Sequence, residues 1–218
     1  MRLRLTIPLL AILCLALTST VLAQQILCDD GPTNGTIAGL FIDGPNPGPY
    51  GQSISDGFVA TGSGIANYFV AGLWVPTGET PTMVSWWLGT SAFAGDIASG
   101  TSSSLQPDYL MTSGSWDIYE ITVTGLSGTL TAGNTYYLSL GNGNDSGGDQ
   151  FVAWDMNNGA ASCYFAVGGV EQGGCGYGGE AFTLYAGGPG TVPEPSSLLL
   201  LGSGVIGLAG LLRRRIGL

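Results

Sequence analysis

The 218-residue chain carries 15 acidic residues against five basic ones, all arginine, with no histidine, and its formal net charge is −10. The arginines stand at the two ends (Arg2, Arg4, Arg213, Arg214 and Arg215), so residues 24–212 hold no cationic side chain. Such a surface repels polyanions and cannot neutralise phosphates, which excludes nucleic-acid binding. The same composition excludes serine–histidine and cysteine–histidine nucleophiles, histidine metal sites and lysine Schiff bases.

In chain order, Arg2 and Arg4 precede an apolar run from Ile7 to Leu17, and small residues lead to Val21-Leu22-Ala23. A charged start, a short apolar run and a small-residue cut after Ala23 describe a signal peptide over residues 1–23. A buried amphipathic helix would need a polar face that this run lacks. Lipidation at Cys14 or Cys28 would require a small residue before the cysteine, and both follow leucine. The chain is therefore read as exported.

Residues 24–187 show no long segment of helical period. Short β-rich runs recur instead: Ile37–Ile42, Ser53–Ala60, Asn67–Val75, Thr82–Leu88, Tyr109–Thr112, Ser115–Thr124, Thr135–Gly141, Gln150–Met156, Ser162–Val167 and Ala181–Tyr185. Tyr136, Leu138 and Leu140 share one face of their run, and Tyr119, Ile121 and Val123 share one face of theirs. This pattern predicts an all-β fold, an antiparallel two-sheet sandwich of jelly-roll type. The 38 glycines are interleaved with five Trp, nine Tyr and seven Phe, so they are read as turn and bulge positions around a packed core.

Carboxylates are the acid–base groups left to this body. A glycosidase needs two of them facing each other across a cleft, and Asp117, Glu120, Asp155 and Glu180 lie on or beside predicted strands. The competing expectation is of solvated carboxylates that keep an acidic domain soluble, and the body is read as non-enzymatic. Gly141–Asp149, "GNGNDSGGD", offers hard oxygens from Asn142, Asn144, Asp145 and Asp149 for calcium. Counted as an EF-hand from Asn142, however, the bidentate position falls on Ala153, and "GNGND" occurs once where stacked repeats would be needed. The first expectation is a polar loop with no cofactor, and calcium is the alternative. In "AWDMNNG", Trp154 would stack on a sugar while Asp155, Asn157 and Asn158 bond to it; the competing reading is a strand end entering an Asn-Gly turn.

Cys28, Cys163 and Cys175 follow the expected cut. In an oxidising exterior they allow one bridge and one spare thiol. Cys163 and Cys175 bracket "GGVEQGG", read as a flexible loop, and are the expected pair. Ala186–Thr191, "AGGPGT", is a linker at which the β pattern stops.

Residues 188–218 finish the chain with Pro193-Glu194-Pro195, the uncharged run Ser196–Leu212, and Arg213-Arg214-Arg215. The prolines disfavour helical geometry before Ser196. The run of 17 residues forms a single transmembrane helix of about 25 Å, and the arginines keep its end cytoplasmic, leaving the domain outside.

These three ordered elements resemble a PEP-CTERM sorting signal. The resemblance implies recognition and cleavage by an exosortase, in a Gram-negative bacterium that makes exopolysaccharide. The partners implied are the export machinery and exosortase, the membrane through the helix before processing, and exopolysaccharide or other biofilm matrix components. The route implied is an inner-membrane-anchored intermediate facing the periplasm, then the cell surface or extracellular matrix. The same tail is also called an ice-binding-protein C-terminal domain, a label that implies no ice binding. The body resembles sandwich domains carried on such tails through "CDDGPTNGT", "SWWLGTSAF", "AWDMNNG" and "EAFTLY", with Cys28 where relatives tend to show an aromatic. That resemblance supplies no catalytic residues. The resulting expectation is a non-catalytic structural or adhesive surface protein, with a carbohydrate-binding module or a carboxylate-based polysaccharide hydrolase as alternatives.

Overall fold

The computed structural model describes residues 24–43, 51–148, 150–157, 162–176 and 178–187. The signal peptide, the tail with Pro193, Glu194, Pro195, the helix over 196–212 and Arg213–Arg215, and the site candidates Asp149 and Asn158 lie outside the described residues. Gln24–Pro189 is one compact unit. Among the described residues no helix is long and apolar enough to cross a membrane.

The fold is all-β and consists of two antiparallel sheets. In the seven-stranded sheet, β4 (Gly64–Pro76) is paired along its length with β8 (Trp116–Leu130), and β7 (Gln106–Ser113) lies beyond β8. On its other side β4 is shared by two shorter partners. One is β13 (Phe182–Ala186), which carries β1 (Gln25–Asp29). The other is β10 (Ala153–Met156), which carries β2 (Ile37–Phe41). The six-stranded sheet has β3 (Gln52–Val59) and β9 (Thr135–Asp145) at its centre. From there it runs outward through β11 (Cys163–Val167) to β12 (Val170–Gly174), and through β5 (Pro81–Gly89) to β6 (Ala98–Ser102).

The period-two pattern of the central strands places the core between the sheets. Phe69, Leu73 and Val75 of β4 meet Ile54 and Phe58 of β3, Trp86 and Leu88 of β5, and Leu138 and Leu140 of β9 in one buried cluster. Ring contacts cross the interface, Phe58 with Phe182 at 5.5 Å and Phe69 with Trp86 at 6.5 Å. Burying each such side chain contributes roughly 1.5–3 kcal/mol. A smaller cluster of Trp74, Ile118 and Ala153, flanked by Phe41 and Trp116, forms separately from it.

Three strands depart from the expected set. β1, β6 and β12 have no counterpart among the predicted runs, because none alternates apolar with polar residues over its length. β1 shifts register between Ile26 and Cys28, which breaks its period. β6, "ASGTS", is built of small residues, and a Cβ at Gly100 would lie 2.8 Å from the Trp86 ring. β12 corrects the flexible-loop reading of "GGVEQGG". Gly168 (φ 58°) and Gly169 (φ 79°) make the two-residue turn between β11 and β12, a geometry that needs positive φ at both positions. The expected loop "GNGND" is likewise corrected, since β9 continues through Asp145.

Candidate functional site

The expected disulfide is present: Cys163 and Cys175 are bonded, with Cα atoms 5.4 Å apart. Cys28 is free and buried.

Trp154 is fully buried in the core, and its indole N–H donates to the Ala181 carbonyl at 3.1 Å. An indole so placed has no face to offer a sugar, and the sugar-stacking reading of this residue is corrected. Asp155, one position on, is also fully buried. It accepts the Trp74 indole N–H at 2.5 Å and the backbone N–H groups of Asn34 at 2.9 Å and Gly35 at 3.4 Å. Asp155 therefore anchors the chain ahead of β2. Asn157 is buried too, its amide donating to the carbonyls of Asp30 and Glu180.

In the calcium candidate, Asp145 is buried, and its two oxygens accept the backbone N–H groups of Gly148 at 2.7 Å and Phe151 at 3.0 Å. Asp145 thus ends β9 and holds the turn that follows it. Asn142 donates to Ser85 Oγ at 3.2 Å, whereas Asn144 Oδ1 is buried without a hydrogen-bond partner among the described residues.

Among the four hydrolase candidates, Asp117 accepts Gly78 N–H at 2.8 Å and Thr112 Oγ–H at 2.5 Å, bonds that hold its carboxyl below the usual range. Glu120 faces Asp108 across the β7–β8 pair and is pushed up by burial and then by that neighbour. The structure brings together the other two, Asp155 and Glu180, and adds two residues that the sequence reading did not select, Asp30 and Asp56. Solvated carboxylates were expected here; instead Asp56, Asp155 and Glu180 are each 0% exposed.

The acidic site lies where four segments meet. Glu180 precedes β13 and bridges to Met156 at the end of β10. Its backbone N–H donates to Asp56 Oδ2 on β3 at 2.6 Å, and its Oε1 lies 3.5 Å from the Cys163 sulfur on β11. Asp30, following β1, is held by its own N–H to the Phe182 carbonyl at 3.0 Å. Asp30 Oδ2, Asp56 Oδ1 and Glu180 Oε2 are buried with no hydrogen-bond partner among the described residues.

Burial raises all of these groups, because the charged form loses its hydration. Asp56 is pushed up to about 8, by burial first and then by Asp30 against the opposing Glu180 N–H bond. Burial followed by Asp56, Asp155 and Asp30 drives Glu180 well above the usual range. Asp30 is raised by burial, against a side-chain bond shared with the Asp56 carboxyl, and then by Asp29, and Asp155 by burial against its three hydrogen bonds.

A signal for Asp56 was present in the sequence: it stands between Ile54 and Phe58 at the core-facing parity of β3. Asp30 and Glu180 carry no such local mark, since each sits just outside its strand. Among the described residues no group of three or more His, Cys, Asp or Glu is arranged to hold a metal ion. The arrangement suits carboxyl groups that keep their protons.

A cavity of about 220 Å³ is lined by Leu40, Gln52, Phe165 and Cys175. It is smaller than usual ligand pockets, and none of its lining residues titrates, Cys175 being bridged.

No curated protein matches the chain. The sequence model of the PEP-CTERM protein-sorting motif matches residues 191–215, and the chain thus carries a PEP-CTERM protein-sorting motif at its C-terminus.

Proposed function

We propose that the protein is exported in a Gram-negative bacterium and sorted by an exosortase to the cell surface or extracellular matrix, where its sandwich has a structural or adhesive role without catalysis. The observation that carries the sorting half is the motif at residues 191–215, with Pro193-Glu194-Pro195 ahead of an apolar run and three arginines. The non-catalytic half is supported by the burial of Asp155 and Glu180, since a hydrolase must present its paired carboxylates to substrate. The test replaces Pro193-Glu194-Pro195 by alanines in a host with an exosortase. A larger, membrane-retained species is expected, and normal processing of the variant would overturn the reading.

Carbohydrate binding is the second reading, and it moves from Trp154 to the outward face of the six-stranded sheet. Trp87, Tyr137 and Tyr164 are half-buried and alternate with core-facing neighbours on β5, β9 and β11. Tyr137 and Tyr164 lie 6.0 Å apart at their ring centroids. Aromatic rings on a surface with no cationic side chain suit a neutral polysaccharide. Affinity electrophoresis in exopolysaccharide gels, comparing the protein with its Trp87→Ala and Tyr137→Ala variants, tests it; unretarded migration of the unaltered protein would remove this reading.

A further inference from the structure

We propose that Asp30, Asp56 and Glu180 form a proton-held latch that closes β1 and the start of β13 onto the core and opens as pH rises. Three carboxyl oxygens, Asp30 Oδ2, Asp56 Oδ1 and Glu180 Oε2, are buried without a donor from the protein among the described residues, and residues 24–212 contain no cation to neutralise them. Buried charges persist when paired; unpaired ones take up protons instead. A carboxylic acid is also a donor, so protonation supplies the hydrogens these oxygens lack.

The surroundings reinforce this. Facing the trio are Asp29 and Cys28 from β1 and Asp155 from β10, all acidic or neutral, while the Cys163 sulfur of β11 is tied up in its disulfide. No neighbour can stabilise the ionised form by charge. With Asp56 raised by burial from an ordinary 3.8 to about 8, closure weakens progressively between those two pH values.

β13 is also held to β4, whereas β1 has a strand partner on one side only. β1 is an edge strand paired with β13, and the Asp30 carbonyl accepts the Asn157 amide, which also reaches the Glu180 carbonyl. The Glu180 N–H to Asp56 bond ties the chain before β13 to the opposite sheet. Ionising the trio sets like charges together in a low-dielectric site and drives these segments apart, whereas the β4–β8 and β3–β9 pairs carry no member of the trio except Asp56.

Hydrogen exchange of the full chain, corrected for the intrinsic pH dependence of exchange, tests the proposal. Protection over residues 26–30 and 180–184 should fall by about tenfold per pH unit for each proton released on opening, while residues 118–123 of β8 keep theirs. The variant Asp56→Asn with Glu180→Gln should flatten that profile. Infrared spectroscopy of the unaltered protein supplies a measurement that needs no variant: a protonated carboxylic acid band should persist at pH 7 and disappear as the segments open. Absence of that band at pH 7, a pH slope unchanged in the double variant, or stoichiometric calcium binding that abolishes the slope would each overturn the latch.

Discussion

Replacing Asp56 by Asn removes one titrating group while keeping an oxygen for the Glu180 N–H. Asp56 is 0% exposed and is pushed from an ordinary 3.8 to about 8. A carboxyl raised in the folded state keeps a proton that the unfolded chain gives up, so its contribution lowers stability as pH climbs from about 4 to about 8. Each pH unit in that window costs about 1.4 kcal/mol per proton. Three units separate pH 4 from pH 7, so this group alone costs about 4 kcal/mol at neutrality relative to pH 4. Urea unfolding of the protein and of Asp56→Asn at each pH from 4 to 8 measures the difference. The variant should match the parent within about 1 kcal/mol at pH 4 and exceed it by about 2–4 kcal/mol at pH 7, the lower figure applying if Asp30 and Glu180 share the relief. Two curves separated by a constant offset would refute the reasoning, because a constant offset reflects packing and not proton linkage.

Cys163→Ser with Cys175→Ser, opening a bridge of sequence separation 12, should lower unfolding stability by about 3 kcal/mol on the chain-entropy account, as read by urea denaturation. Sodium chloride should raise the melting temperature, because the exported body has carboxylates and no cations and gains from screening. Calcium at equal ionic strength should add little, and a calcium-specific rise abolished by Asp145→Asn would reveal a site at that loop. Gly39→Ala should cost several kcal/mol in the same denaturation assay, because its Cβ would lie 1.8 Å from the Trp154 carbonyl oxygen.

The parts of the fold that could be read from sequence are those where one face is buried over a long span. β4 and β9 declare themselves through Phe69, Leu73 and Val75, and through Tyr136, Leu138 and Leu140, because period two survives in the sequence wherever it is needed in the core. β12 is exposed along most of its length; it is a strand through its glycine turn and its pairing, and neither leaves an alternating pattern. The acidic site was half visible. Glu180 and Asp155 could be singled out as carboxylates beside strands, but Glu180 and Asp56 stand 124 residues apart, and their meeting is a product of sheet packing. The aromatic of "AWDMNNG" left two readings open for a related reason: a tryptophan at a strand end reads the same whether its ring turns to water or to Phe182, 5.8 Å away.

The buried free cysteine gains a consequence from its neighbours. Burial, and secondarily Asp30, Asp29 and Asp56, push the Cys28 thiol above its ordinary range. Thiolates, not thiols, attack disulfides. A sulfur held in its protonated form is a poor competitor for Cys163 or Cys175, so the burial of Cys28 insulates the bridge from rearrangement once the chain has folded. A protein with a free cysteine beside its disulfide is thereby kept from linking to its own copies, and its oxidised state is fixed by proton affinity as much as by the location of its sulfurs.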